Sequence, residues 1–279
     1  MKKTAISRRI ANLGLACAIT ILAGCAAVQT TGSGEVGVDR KQYMSGMVSE
    51  AALEQEAAQQ YATLVGQAKA QGALDSDAAQ TQRVKAITQK LIQQVGIFRP
   101  EASNWKWETH VLTSDEVNAW CMPGGKIAVY TGLIKQIKPT DAELAAVIGH
   151  EMAHALREHS REQVSQQMAT NLGLSVLSAI TGAGPTADLG SALSDVMFTL
   201  PNSRTHEAEA DRIGVELAAR AGYDPRAAVT LWQKMGALSA GNAQPEFLST
   251  HPSAASRSAD LTAAANKVLP LYEQAAGKQ

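Results

Sequence analysis

The residues with the clearest chemical content are His150-Glu151-Met152-Ala153-His154, an H-E-x-x-H pattern inside an apolar run. Four residues turn an α-helix through about 400°, so His150 and His154 stack one turn apart on a single stripe. Two imidazoles so placed can hold one zinc ion, and Glu151 flanks the stripe as a carboxylate able to take a proton from water. The metal would polarise a carbonyl and acidify that water, and the carboxylate would move the proton. A helix must carry the pair, and the neighbouring residues supply one. Thr140-Asp141-Ala142-Glu143 has the form of a capping box, while Leu144, Val147, Ile148 and Met152 give an apolar face.

A catalytic zinc needs a third protein ligand and an open position. The best source is the stretch from Ser203 to Asp211, at the start of a helix expected to run to about Ala221. Glu207 and Asp211 lie one turn apart on that helix, so Glu207 can bind metal while Asp211 holds a ligand histidine by its other ring nitrogen. His206 competes for the role but has no paired acid one turn on. Glu209, about 200° round the helix, is expected to face solvent. His159 is nine residues past His150, about 900° along the same helix if it continues to Met168, which is half a turn off the ligand face. It is therefore not a ligand from this helix.

The other elements follow from periodicity. Residues 42–70 and 76–95 read as helices with apolar faces, the second carrying Val84, Ile87, Leu91 and Val95. Residues 104–112 alternate as a half-buried strand, with Trp105, Trp107 and Val111 on one side and Lys106, Glu108 and His110 on the other. His110 thus reads as a solvated strand residue. A strand–turn–strand unit follows from Asn118 to Tyr130 around Pro123-Gly124-Gly125. Its glycines leave room for a close backbone approach. Lys126, Ile127 and Ala128, as an edge strand, could pair with an extended substrate beside Gly124 and Gly125. Residues 131–137 make a short helix, 171–181 a buried helix or a flap over the cleft, 187–200 a further helix, and 256–276 a last one.

Residues 1–24 have a basic start and a short apolar stretch, the form of an export signal. Leu22-Ala23-Gly24-Cys25 resembles the bacterial lipobox, which implies acylation of Cys25 and a lipid anchor; Ala26 fits outer-membrane sorting. Whether export follows the general or the twin-arginine route is left open by Ser7-Arg8-Arg9. Gly, Thr and Ser are abundant across 25–40, the composition of a flexible tether. Cys121 is left as a buried small hydrophobe with no partner for a disulfide. A formal net charge of −1 without a basic tract argues against nucleic acid as a partner.

As a set, the motifs resemble the zinc metallopeptidases of the HtpX, BepA and LoiP group, metallopeptidase family 48. They run in the family's order: Asn118-Ala119, Pro123-Gly124-Gly125, Thr131-Gly132-Leu133, Gly149 to His154, Ser203-Arg204, Glu207 to Gly214, then Thr250-His251-Pro252 and Arg257. The resemblance implies an α+β, predominantly helical zincin-like domain with a small antiparallel sheet beside the motif helix. It implies one domain over 41–279, with N-terminal helices in 41–98 and a catalytic part at about 104–265. It implies one zinc held by His150, His154 and Glu207, with Glu151 as general base. His251 is then either an oxyanion donor aided by Arg257 or a latch in zinc's open position. The sequence departs from HtpX and the prenyl proteases of this family in having no transmembrane helices. It departs from BepA in having little room after Arg257 for a repeat domain. The expected activity is endoproteolysis of misfolded or misassembled envelope proteins at the periplasmic side of the outer membrane. A chaperone or assembly factor for outer-membrane proteins, and a lipoprotein with a structural zinc, are the competing readings; an intact Glu151 argues against the last.

Overall fold

The computed structural model describes residues 25–181, 188–239, 245–252 and 255–277, so the expected export signal at 1–24 lies outside the described residues. The molecule is mostly helical with two small sheets, an α+β arrangement built around the motif helix. Among the described residues that helix, α3 (Asp141–Leu156), follows α1 (Glu50–Ala70) and α2 (Ala78–Ile92). The capping box closes the start of α3: the Thr140 hydroxyl accepts from Glu143 N–H, and the Glu143 carboxylate accepts from Thr140 N–H. Every residue from Glu143 to Leu156 is buried. A helix buried all round cannot move without repacking the core, which suits a carrier of metal ligands.

The expected helix from His150 to Met168 is broken. α3 ends at Leu156, Glu158 takes a left-handed backbone (φ 51°), and α4 (His159–Thr181) sets off in a new direction. The carbonyl of Arg157, which a continuous helix would bond internally, instead accepts from Gln42 Nε2 (2.5 Å) and Thr30 Oγ1 (3.2 Å). Partners more than a hundred residues upstream thus fix the break.

Those partners belong to the stretch read as a tether, and the structure corrects that reading. Strand β1 (Cys25–Val28) pairs antiparallel with β2 (Gln42–Ser45). Between them Val36 and Val38 are buried, Gly32 N–H donates to Phe98 O, and Val36 N–H donates to Glu216. The Gly and Thr content suggested flexibility, but two valines and a set of hydrogen-bonding groups seat the segment on the domain. For the same reason the helix expected from residue 42 starts later, at the Ser49 cap.

The second sheet has three strands, β3 (Glu108–Leu112), β4 (Ala119–Met122) and β5 (Lys126–Tyr130), in the order β3-β5-β4. β5 runs parallel to β3 and antiparallel to β4, so the sheet is mixed, not antiparallel. Ile127, Ala128 and Val129 are buried in succession, the pattern of a central strand covered on both faces. Beyond α4 come α5 (Leu189–Phe198), α6 (Arg204–Arg220), α7 (Ala227–Ser239), the short α8 (Glu246–Thr250) and α9 (Ala255–Ala276). α6 crosses α3 so closely that a Cβ added at Gly214 would sit 2.7 Å from His150 N, and one at Gly149 2.9 Å from Gly214 O. No helix among the described residues is long and apolar enough to cross a membrane.

Candidate metal centre

Three elements converge on one point. α3 presents His150 and His154; α6, capped by the Ser203 hydroxyl on His206 N–H, presents Glu207; the turn after α8 presents His251. All four side chains are buried, and one donor atom from each lies within 4.8 Å of the others. The Nε2 atoms of His150 and His154 are 3.1 Å apart, and His150 Nε2 is 3.3 Å from His251 Nδ1. Glu207 Oε1 is 2.9 Å from His251 Nδ1 and 3.4 Å from His154 Nε2.

These separations test the fit of a metal. Donors about 2.1 Å from a tetrahedral zinc stand about 3.4 Å from one another. Four of the six separations, 2.9 to 3.4 Å, are near the edge of a tetrahedron, and all donors lie within 4.8 Å of one another. Glu207 Oε2 and Glu151 Oε1 are buried and take no well-aligned hydrogen bond. Glu207 Oε2 already has the Arg257 guanidinium at 2.8 Å, while its Oε1 faces His251 and His154, the side on which a metal cation would sit. The residues present therefore fit zinc.

Electrostatics support the ligand forms. Burial pushes the His154 imidazole down to about 3, so it is neutral and has a lone pair at neutral pH. Burial alone would raise Glu207, but the facing His251 and His150 hold it well below the usual carboxylate range. Glu151 is raised, chiefly by burial, and only partly relieved by His251 and His150. A raised carboxylate is better matched to proton transfer near neutrality than an ordinary one. Asp211 Oδ1 lies 3.0 Å from His150 Nδ1, though off the line an N–H prefers. Arg257 clamps Asp211 with two hydrogen bonds (2.8 and 2.7 Å), reaches Glu207 Oε2 at 2.8 Å, and stacks 3.8 Å over Trp232. Arg257 thus comes to the site as expected, but from behind the ligands.

Some expectations change. The strand assigned to substrate, Lys126-Ile127-Ala128, is central, with both backbone edges already paired. Nor do Gly124 and Gly125 admit a substrate: a Cβ on Gly125 would meet the Trp107 ring at 2.6 Å, and one on Gly124 would touch Glu54. The strand bordering the cleft is β4, where Asn118 to Cys121 line the same cavity as Glu151, His154 and His251. Its signal was the Asn118-Ala119 pair itself.

Glu209 does not face solvent. It is buried between Arg157, Arg40 and His159, because the N-terminal segment covers that side of α6. His159 lies outside the four-donor group, yet the break after α3 brings its Nδ1 to 2.9 Å from His154 Nδ1. His206 turns away from the donors to Glu162 (3.1 Å). His110 is half-buried on Asp75 (2.7 Å), far from the donor set in role, and Cys121 is buried, with its thiol pushed up by burial. The side chains of Cys25 and of 171–181 lie outside the described residues.

A helix-borne histidine pair, a glutamate from a second helix and a buried carboxylate beside them define a zinc-metallopeptidase centre of the gluzincin kind. The profile of Peptidase family M48 matches residues 78–265, more than half the chain, and the chain belongs to that family. It is 45% identical over 171 residues to the mitochondrial metalloendopeptidase OMA1 of Arabidopsis thaliana, which takes in 60% of this chain and 34% of that protein. To metalloendopeptidase OMA1 of Bos taurus it is 38% identical over 202 residues, 68% of this chain and 38% of the relative. To the beta-barrel assembly-enhancing protease of Escherichia coli it is 28% identical over 221 residues, 75% and 44%. The chain thus spans less than half the length of these relatives.

Proposed function

We propose that this chain is a zinc-dependent endopeptidase, anchored by lipid on Cys25 to a bacterial outer membrane and acting at its periplasmic side on misfolded or misassembled envelope proteins. The observation that carries the catalytic part is Glu151, buried at the rim of the donor set, with no well-aligned hydrogen bond at Oε1 and His251 Nε2 3.4 Å away. Bound zinc supplies Lewis acidity to a carbonyl and acidity to water. The rest is done by the chain. The edge of β4 left without a partner strand among the described residues would hold an extended peptide through its backbone, which gives little sequence preference and suits unfolded substrates. Glu151 takes the proton of the attacking water and returns it to the leaving nitrogen. Asp211 and Arg257 keep His150 and Glu207 in place. The name of the E. coli relative supports an envelope role, as does the likeness of Leu22 to Cys25 to a lipobox.

One observation favours the second reading, a chaperone or assembly factor with latent proteolysis. His251 Nδ1 stands among the donors, so the fourth place is filled until the turn after α8 moves. Comparing envelope proteins in cells carrying wild type, Glu151→Gln and Cys25→Ser separates these. The protease reading expects uncleaved envelope proteins to accumulate with Glu151→Gln, and Cys25→Ser to leave the membrane fraction. Full complementation of a deletion by Glu151→Gln overturns it in favour of the chaperone; an unchanged membrane fraction for Cys25→Ser overturns the anchor.

A further inference from the structure

The two ligand histidines are supported in different ways. His150 Nδ1 faces a carboxylate directly, Asp211 at 3.0 Å. His154 Nδ1 faces another imidazole, His159 Nδ1 at 2.9 Å, and the opposite nitrogen of His159 faces Glu209 Oε2 at 3.1 Å. With His154 as a metal ligand, the proton positions in this row follow. With its Nε2 lone pair among the donors, His154 carries its proton on Nδ1 and donates to His159 Nδ1. His159 must then carry its own proton on Nε2, which donates to Glu209. Both rings are neutral and every nitrogen is used once.

The row is fixed at its far end. Glu209 is shared by Arg157 (3.0 Å) and Arg40 (2.6 Å). His206 stacks on His159 with centroids 4.3 Å apart and planes 11° from parallel, and is itself held by Glu162. Arg40 pairs with Glu162 through two hydrogen bonds of 2.8 Å, and Gln42 adds a third at 3.0 Å. His159, Glu209, Arg157, His206 and Glu162 are all buried. Arg40 and Gln42 lie upstream of the stretch matched to the family, residues 78–265.

We propose that His159 is a positioning residue for His154: through Glu209 it sets the orientation of that imidazole, and Arg40 of the N-terminal segment locks the row. The inference rests on His154 being a zinc ligand, as the proposed function has it. It explains why α3 must stop at Leu156, since a continuous helix would swing His159 half a turn away.

The test uses the full chain, with zinc affinity measured by chelator competition and cobalt(II) as a spectroscopic probe. His159→Asn places a side-chain oxygen where Nδ1 stood and retains the acceptor; His159→Phe fills the space without one. Zinc should bind roughly 10- to 100-fold more weakly to the Phe variant, with shifted cobalt bands; the Asn variant, which keeps the acceptor but is too short to reach Glu209, should fall between Phe and wild type. Melting of the zinc-free proteins establishes that both fold. Wild-type affinity and cobalt spectrum in a folded His159→Phe protein overturn the proposal. So does an Asn variant as impaired as Phe, which would make the role one of packing. If the Phe variant does not fold, Glu209→Gln decides, with a loss of roughly tenfold expected and none contradicting. Unchanged zinc binding in His154→Ala would instead overturn the ligand reading on which this one stands.

Discussion

The crossing of α3 and α6 sets the distance between the histidine pair and Glu207, and Gly214→Ala perturbs only that. The added Cβ would lie 2.7 Å from His150 N and 2.9 Å from His150 Cα and Gly149 C, all backbone atoms that cannot rotate away. Ordinary contact begins at 3.4 Å, so the helices must part by about 0.7 Å at this point. Glu207 is two turns upstream on the same helix and moves with it. Its separations from the two histidine nitrogens, 3.4 Å from Oε1 to His154 and 3.5 Å from Oε2 to His150, then open to about 4 Å, past the edge of about 3.4 Å that zinc requires. Alanine in a helix interior ordinarily stabilises by about 1 kcal/mol over glycine. Here overpacking should reverse the sign and cost about 1–3 kcal/mol. Thermal unfolding of the zinc-free protein reads the first effect, and chelator competition reads the second, a loss of roughly tenfold or more in zinc affinity. A Gly214→Ala protein of raised melting temperature and unchanged zinc affinity would refute the claim that this contact gauges the site.

Other perturbations follow from the same geometry. Arg257→Ala strips a buried cation from Asp211 and Glu207 and should cost about 3–5 kcal/mol, read by denaturant unfolding; a loss under about 1 kcal/mol would contradict its role as clamp. Gly125→Val meets Trp107 at a φ of 81° and should lower the melting temperature, with KM unchanged in the folded fraction since β5 is not the substrate strand. A raised KM at wild-type stability would return β5 to the mechanism. Burial would raise Glu162, but hydrogen bonds from Arg40, His206 and Gln42 hold it far below its ordinary value of 4.5. A depressed carboxylate stabilises the fold above that ordinary value and loses the contribution as pH falls beneath it. Protease sensitivity of residues 25–45 should therefore rise below about pH 4.5. Glu162→Gln should be sensitive already at pH 7, and equal resistance of the two proteins at all pH values would count against the network.

What the sequence disclosed was whatever one helix could hold by itself. His150, Glu151 and His154 needed only a period of 3.6, and Thr140 and Glu143 announced the cap. Glu207 stood out because Asp211 follows it by one turn. Contacts between distant stretches left no such trace. The break at Glu158 depends on Gln42 and Thr30 meeting the Arg157 carbonyl, so helical counting carried His159 to the wrong side. Glu209 was assigned to solvent because nothing in its own helix reveals that Arg40 will cover it. Strand order escaped as well, although the unbroken apolar run Ile127-Ala128-Val129 already had the form of a central strand. Composition misled at 25–40, where Val36 and Val38 outweigh the glycines.

The central claim is that Glu151 moves the proton at a zinc site held by His150, His154 and Glu207. It is tested most directly by Glu151→Gln, which keeps the shape and removes the base. Zinc content per chain and hydrolysis of an unfolded protein are measured side by side with wild type. About one zinc is expected in each protein, with hydrolysis by the variant lower by a factor of about 10²–10⁴. A Glu151→Gln protein that carries zinc and cleaves at the wild-type rate would contradict it.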